Sequence, residues 1–144
     1  MFRIATIGLI SLIALTPAAG LTTVARAAES VDVIAQASSN SGSFTTVDKN
    51  TAGGFRIVSE GGKRYLELAD DFRTGRGPDL FVLLHNEAVP SSYNANNYIN
   101  LGRLEKFSGA QRYEIPADAD LSNFASVVIW CRQFDVTFGY APLA

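Results

Sequence analysis

A thiol, an imidazole and three clustered carboxylates are the side chains of this sequence best suited to chemistry. Cys131 closes the most apolar run of the C-terminal half, Val127-Val128-Ile129-Trp130-Cys131, and is the single cysteine of the chain. It therefore has no disulfide partner within its own molecule. In an oxidising compartment such a thiol must be shielded, joined to another molecule or put to use. Redox use requires access and a neighbour that stabilises the thiolate, such as a cation, a histidine or a helix N-terminus. On an extended strand Cys131 shares a face with Val127 and Ile129, while Trp130 and Arg132 point the other way. Local sequence thus surrounds the sulfur with aliphatic carbon, and any activating group has to come from elsewhere in the fold. The competing reading is a buried cysteine that packs as a small hydrophobe.

Residue counts narrow the cofactors sharply. Once Met1 leaves with an export signal, one cysteine, one histidine and no methionine remain. A four-cysteine iron–sulfur cluster, a blue-copper site, a structural zinc site and a His/Met haem each need more ligands than that. A haem-like group held by Cys131 alone, or by Cys131 with His85, stays open, as do a disulfide between two chains and a mixed disulfide with a redox partner protein. His85 ends the run Leu80-Phe81-Val82-Leu83-Leu84, where a histidine is ordinarily a surface or capping residue. No Ser-His-Asp or Cys-His spacing accompanies it, so a stand-alone enzyme is not expected.

Asp70, Asp71 and Asp79 flank a Gly-rich turn and supply oxygen ligands of the kind calcium takes. Arg73 and Arg76 lie among them, however, and the alternation of an EF-hand loop is missing. Turn and ion-pair duty is the expected role, because Asp side chains accept bonds from nearby backbone amides. Calcium is the minor alternative.

The N-terminus reads as an export signal. Arg3 precedes an apolar stretch from Ile4 to Leu15, Pro17 breaks it, and Ala25-Arg26-Ala27 offers the small-x-small pattern of a cleavage site. Residues 1–27 are therefore expected as a signal peptide, 28–41 as a flexible lead-in and 42–144 as one β domain. An uncleaved anchor is the rival reading, opposed by Thr16, Pro17, Gly20, Thr22 and Thr23. Secretion, or placement in the periplasm or cell envelope, follows, with no stable membrane insertion after cleavage. Loss of Arg3 and Arg26 moves the formal charge of −2 down by two. That balance does not favour nucleic acid or anionic lipid.

What must position these groups is a set of short strands. Gly61-Gly62 supplies the positive-φ pair of a tight hairpin turn, so that Glu60 faces Lys63, Val58 faces Tyr65, Ile57 faces Leu66, Arg56 faces Glu67 and Phe55 faces Leu68. This register gathers Phe55, Ile57, Leu66 and Leu68 on one face and opposed charges on the other. Further strands are expected at Leu80 to His85, Ile99 to Leu104, Ala110 to Ile115, Phe124 to Cys131 and Val136 to Tyr140, with one helical turn at Asp120 to Asn123. The fold class is all-β, an antiparallel β-sandwich or flattened barrel of about eight strands. Trp130, Tyr113, Phe124, Phe134 and Phe138 are expected in the core. Tyr93 and Tyr98 bracket the Asn-rich stretch Ser91 to Asn97 and are expected to be exposed contact residues.

Asp71-Phe72-Arg73-Thr74, Gly77-Pro78-Asp79-Leu80, Leu101-Gly102-Arg103-Leu104, Gly109-Ala110-Gln111-Arg112-Tyr113, Ile115-Pro116 and Val128-Ile129-Trp130-Cys131, followed by Phe134, Val136 and Phe138-Gly139, stand in an order and spacing that resemble the DM-thirteen domain. That electron-transfer family occurs with DOMON domains in Skeletor-type animal proteins and by itself in bacterial exported proteins. The likeness covers Gly42 to Leu143 and departs at Leu83-Leu84-His85, where a Tyr-Leu-Ser type ending is more usual. It implies a β-rich extracytoplasmic domain whose signature cysteine falls on Cys131, acting as a bare thiol or as ligand to a haem-like group. Two functions are thus in play. One is a redox or electron-transfer role centred on Cys131; the other is a non-catalytic binding or structural module in which Cys131 is inert and the loops at 70–79 and 86–98 meet partners.

Overall fold

A computed structural model describes residues 40–143. The expected signal peptide, and all of the expected lead-in except its last two residues, lie outside that range. Nine strands form two antiparallel sheets. The first sheet has the order β1 (Ser41–Ser43), β3 (Gly54–Glu60), β4 (Lys63–Leu68) and β7 (Gln111–Ile115). The second has the order β2 (Thr45–Thr46), β9 (Val136–Pro142), β8 (Ser126–Cys131), β5 (Leu80–His85) and β6 (Tyr98–Arg103). The sandwich is therefore the form adopted, and its first described strand starts at Ser41, one residue ahead of the expected domain start.

The β3–β4 hairpin has the register its side chains demanded, from Phe55 opposite Leu68 to Glu60 opposite Lys63, with Gly61 and Gly62 at φ 58° and 78°. Phe55, Leu66 and Leu68 are buried, and Ile57 packs partly against them. Arg56 and Glu67 pair at 2.9 Å as the register allows. Glu60 and Lys63 do not pair with each other. β7 arrives beside β4 and offers better partners, Arg112 to Glu60 at 3.0 Å and Glu114 to Lys63 at 3.2 Å. A single 3-10 turn at Leu121–Asn123 is capped by Asp120, whose carboxylate accepts from the Ser122 amide.

The core lies between the sheets. Phe55, Leu66, Leu68, Tyr113 and Ile115 of the first face Leu80, Val82, Leu84, Val127, Ile129, Cys131 and Phe138 of the second, with Phe44, Phe72 and Leu104 closing the ends. β5 and β8 are buried at every residue. Their outward side chains Phe81, Leu83, Val128 and Trp130 form a second cluster, covered by Tyr93, Tyr98 and Tyr140. This two-sided cover explains why both strands read as unbroken apolar runs and lack the alternation of a half-solvated strand.

Candidate functional site

Cys131 is the last residue of β8, placed between Leu80 of β5 and Val136 of β9. Its side chain points inward with Val127 and Ile129, as strand alternation requires, and is 0% exposed within the inter-sheet core. The adjacent basic residue, Arg132, turns to the opposite face. There its Nε donates to Asp79 Oδ2 at 3.0 Å and its guanidinium lies 4.5 Å from the Phe81 ring centroid. A small slot of about 240 Å³ beside Lys49, Arg76, Pro78, Phe134 and Phe138 shares Val136 with the cysteine's surroundings but is not lined by Cys131 itself. The environment is that of a packing cysteine.

His85 lies at the other end of β5, opposite Ser126 of β8, and belongs to the outer face. His85 is five residue steps along β5 from Leu80, roughly 17 Å along the sheet. Cys131 and His85 are thus at opposite ends and on opposite faces, and cannot ligate one group together. The imidazole is 0% exposed and both nitrogens are engaged. Nδ1 accepts the Glu87 amide at 3.0 Å, which leaves Nε2–H to donate to the Ser92 carbonyl at 2.8 Å. His85 therefore pins the Asn86–Asn97 segment to the sheet. A haem-like group does not fit these residues: the sulfur is enclosed by core side chains, the imidazole has no free nitrogen, and the slot near Val136 is below the roughly 300 Å³ at which small-molecule sites begin.

The three aspartates do not converge either. Asp71 Oδ1 accepts the Gly54 amide at 3.0 Å, Asp70 is exposed, and Asp79 is held by Arg103 at 2.6 Å and Arg132 at 3.0 Å. Among the described residues no cluster of three His, Cys, Asp or Glu side chains could hold a metal ion. Arg103 of β6 and Arg132, which follows β8, claim the Asp79 carboxylate that the turn buries, and the calcium alternative is left without converging ligands among the described residues.

The structure does assemble one group of redox-capable side chains, on the outer face of the second sheet. Tyr93 stacks on Trp130 at a centroid distance of 4.7 Å and 19° between planes, and Tyr98 lies 5.6 Å from the same indole. His85 meets Tyr93 edge-on at 5.4 Å. Trp130 Nε1 donates to Asp135 Oδ1 at 3.1 Å, and the Tyr93 hydroxyl bonds to Thr137 Oγ1. Burial pushes the Tyr93 phenol up to about 12. Tyr93 and Tyr98 are accordingly half-buried, not the exposed contact residues their loop context suggests. They fold back because β5 and β8 leave an apolar outer face that needs cover. Phe134 departs in the other direction, at 63% exposure, because it sits in the β8–β9 turn beyond the sheet. Sequence carried one clue to this cluster: tyrosines bracketing a loop beside a strand with no polar face.

Over residues 43–143 the chain matches the family model described as Electron transfer DM13. No curated protein and no solved structure gives a match.

Proposed function

Because the chain belongs to the Electron transfer DM13 family, we propose that it is an exported domain that passes electrons between partner proteins, and not an enzyme acting alone. The observation that carries this reading is the extent of the match, which runs from the last residue of β1 through β9. The N-terminal pattern of Arg3, apolar stretch and Ala25-Arg26-Ala27 supports export to the periplasm, envelope or exterior. Among the described residues no helix is long and apolar enough to cross a membrane.

Thiol chemistry at Cys131, whether exchange with a partner or a mixed disulfide, has the family resemblance in its favour and the burial of the sulfur against it. It becomes available only when the sheet around the sulfur opens, as a whole or at the terminal rung between Cys131 and Val136. A second reading, a binding or structural module with an inert cysteine, is favoured by that same burial. In it the loops at 70–79 and 86–98 would contact the partner.

Voltammetry of the purified full chain with soluble mediators, together with an absorption spectrum of protein isolated from its own host, separates these readings. Electron exchange is expected. Absence of exchange at every accessible potential, with partner binding retained in Cys131→Ser, would leave only the binding module.

A further inference from the structure

The outer-face rings enclose the one tryptophan of the chain, Trp130, whose indole also has a carboxylate partner that the covering of β5 and β8 does not by itself require. We propose that Trp130 is a site of reversible one-electron oxidation, with Asp135 as the acceptor of its indole proton and Tyr93 as the stacked ring that couples it to a docked partner. The inference rests on the electron-transfer reading above and names the residues that would carry it.

Three features point to this assignment. Trp130 is 5% exposed, so its radical would be shielded from bulk water, while the half-buried Tyr93 and Tyr98 link it to the surface. Arg132 and Arg103 lie 4.5 and 5.4 Å from the ring of Phe81, the cross-strand neighbour of Trp130. Both also pair with the Asp79 carboxylate, so one net positive charge lies over the ring next to the indole and disfavours a retained cation, which ties oxidation there to proton loss. The proton has a place to go, because Nε1 already donates to Asp135 Oδ1 at 3.1 Å. Asp135 reaches that position from φ 51°, the sole positive φ outside glycine among the described residues. Aspartate tolerates that region better than most residues, yet the backbone still stores strain there, and such outliers cluster at functional positions.

The step balances as follows. One electron leaves the Trp130 π system for a high-potential one-electron oxidant, an oxidised transition-metal centre of a partner. The Nε1–H bond breaks and its proton passes to Asp135 Oδ1, leaving a neutral indolyl radical and a neutral carboxylic acid. A one-electron donor then returns the electron, and the proton returns to Nε1. Tyr93 stays protonated throughout, since its hydroxyl meets only the Thr137 hydroxyl, which is not a base.

The test is photo-oxidation of the full chain by a ruthenium(III) polypyridyl complex, followed by transient absorption and electron paramagnetic resonance. Because the chain has a single tryptophan, an indole signal can come only from Trp130. A neutral indolyl radical is expected in the native sequence. Asp135→Asn keeps an acceptor and a residue type suited to positive φ but removes the base; it should slow indole deprotonation at least about a hundredfold and prolong the cation. An unchanged deprotonation rate in Asp135→Asn, or radicals confined to tyrosines in the native sequence, would overturn the proposal. Voltammetry divides the remaining cases. Exchange by the native chain that persists at the same rate in folded Trp130→Phe sinks the relay and spares the electron-transfer reading, whereas no exchange by the native chain sinks both.

Discussion

Native-state labelling of Cys131 with a soluble thiol reagent puts the central structural claim at risk. The sulfur is fully buried, and β8 is the middle strand of the order β2-β9-β8-β5-β6. If the reagent reaches it only when the sheet comes apart, opening costs nearly the global stability, at least about 5 kcal/mol for a domain of this kind. Each 1.4 kcal/mol is tenfold, so labelling should run at least about four-thousandfold slower than in denaturant. The logarithm of the labelling rate should also rise with urea along the same slope as global unfolding. A local route exists in principle, because Cys131 and Val136 form the last rung before the β8–β9 turn. Opening that rung alone uncovers roughly one valine, about 1.5–3 kcal/mol, and would protect only about ten- to hundredfold. The assay is the labelling rate across a urea series, with Val136→Ala as the variant that thins the wall between the slot and the sulfur. Protection below about a hundredfold without urea dependence would refute the sealed-core argument and return the thiol to the centre of the chemistry.

Other outcomes follow from the same geometry. His85→Leu preserves bulk but strands the Glu87 amide and the Ser92 carbonyl, and should cost about 2 kcal/mol in chemical denaturation while speeding hydrogen exchange in the 86–97 segment. Arg112 first, and then Arg56, hold the Glu67 carboxyl below its ordinary value of 4.5. A depressed carboxylate stabilises the fold above its unfolded pKa and loses that contribution as pH falls through the folded one. Stability should therefore drop below about pH 4.5, and Glu67→Gln should remove about 0.5–1 kcal/mol of that drop. Gly53→Ala places a methyl group 2.5 Å from the Asp71 carbonyl oxygen at φ 97°, and a melting experiment should show a loss of about 2 kcal/mol or more.

The β3–β4 hairpin was legible from sequence down to its register because its causes are local. A Gly-Gly turn sets the loop, and a one-residue slip would bury four charges. That Cys131 shares a face with Val127 and Ile129 was legible for the same reason, since side chains alternate along any strand. Cysteine burial was not legible, because it depends on Leu80 and Val136, which reach it from strands β5 and β9. The partners of Glu60 and Lys63 lay equally out of view, since they sit on β7, some fifty residues along the chain.

The chain's local chemistry therefore settled its class, its hairpin and its family. Tertiary packing settled which groups meet. It set Cys131 and His85 on opposite faces, drew Asp79 to Arg103 and Arg132 and folded Tyr93 over Trp130. The physical reason is reach: turn preference and alternation act over a few residues. The neighbours of a buried side chain are set by which distant strands share its sheet and which loop covers its outer face.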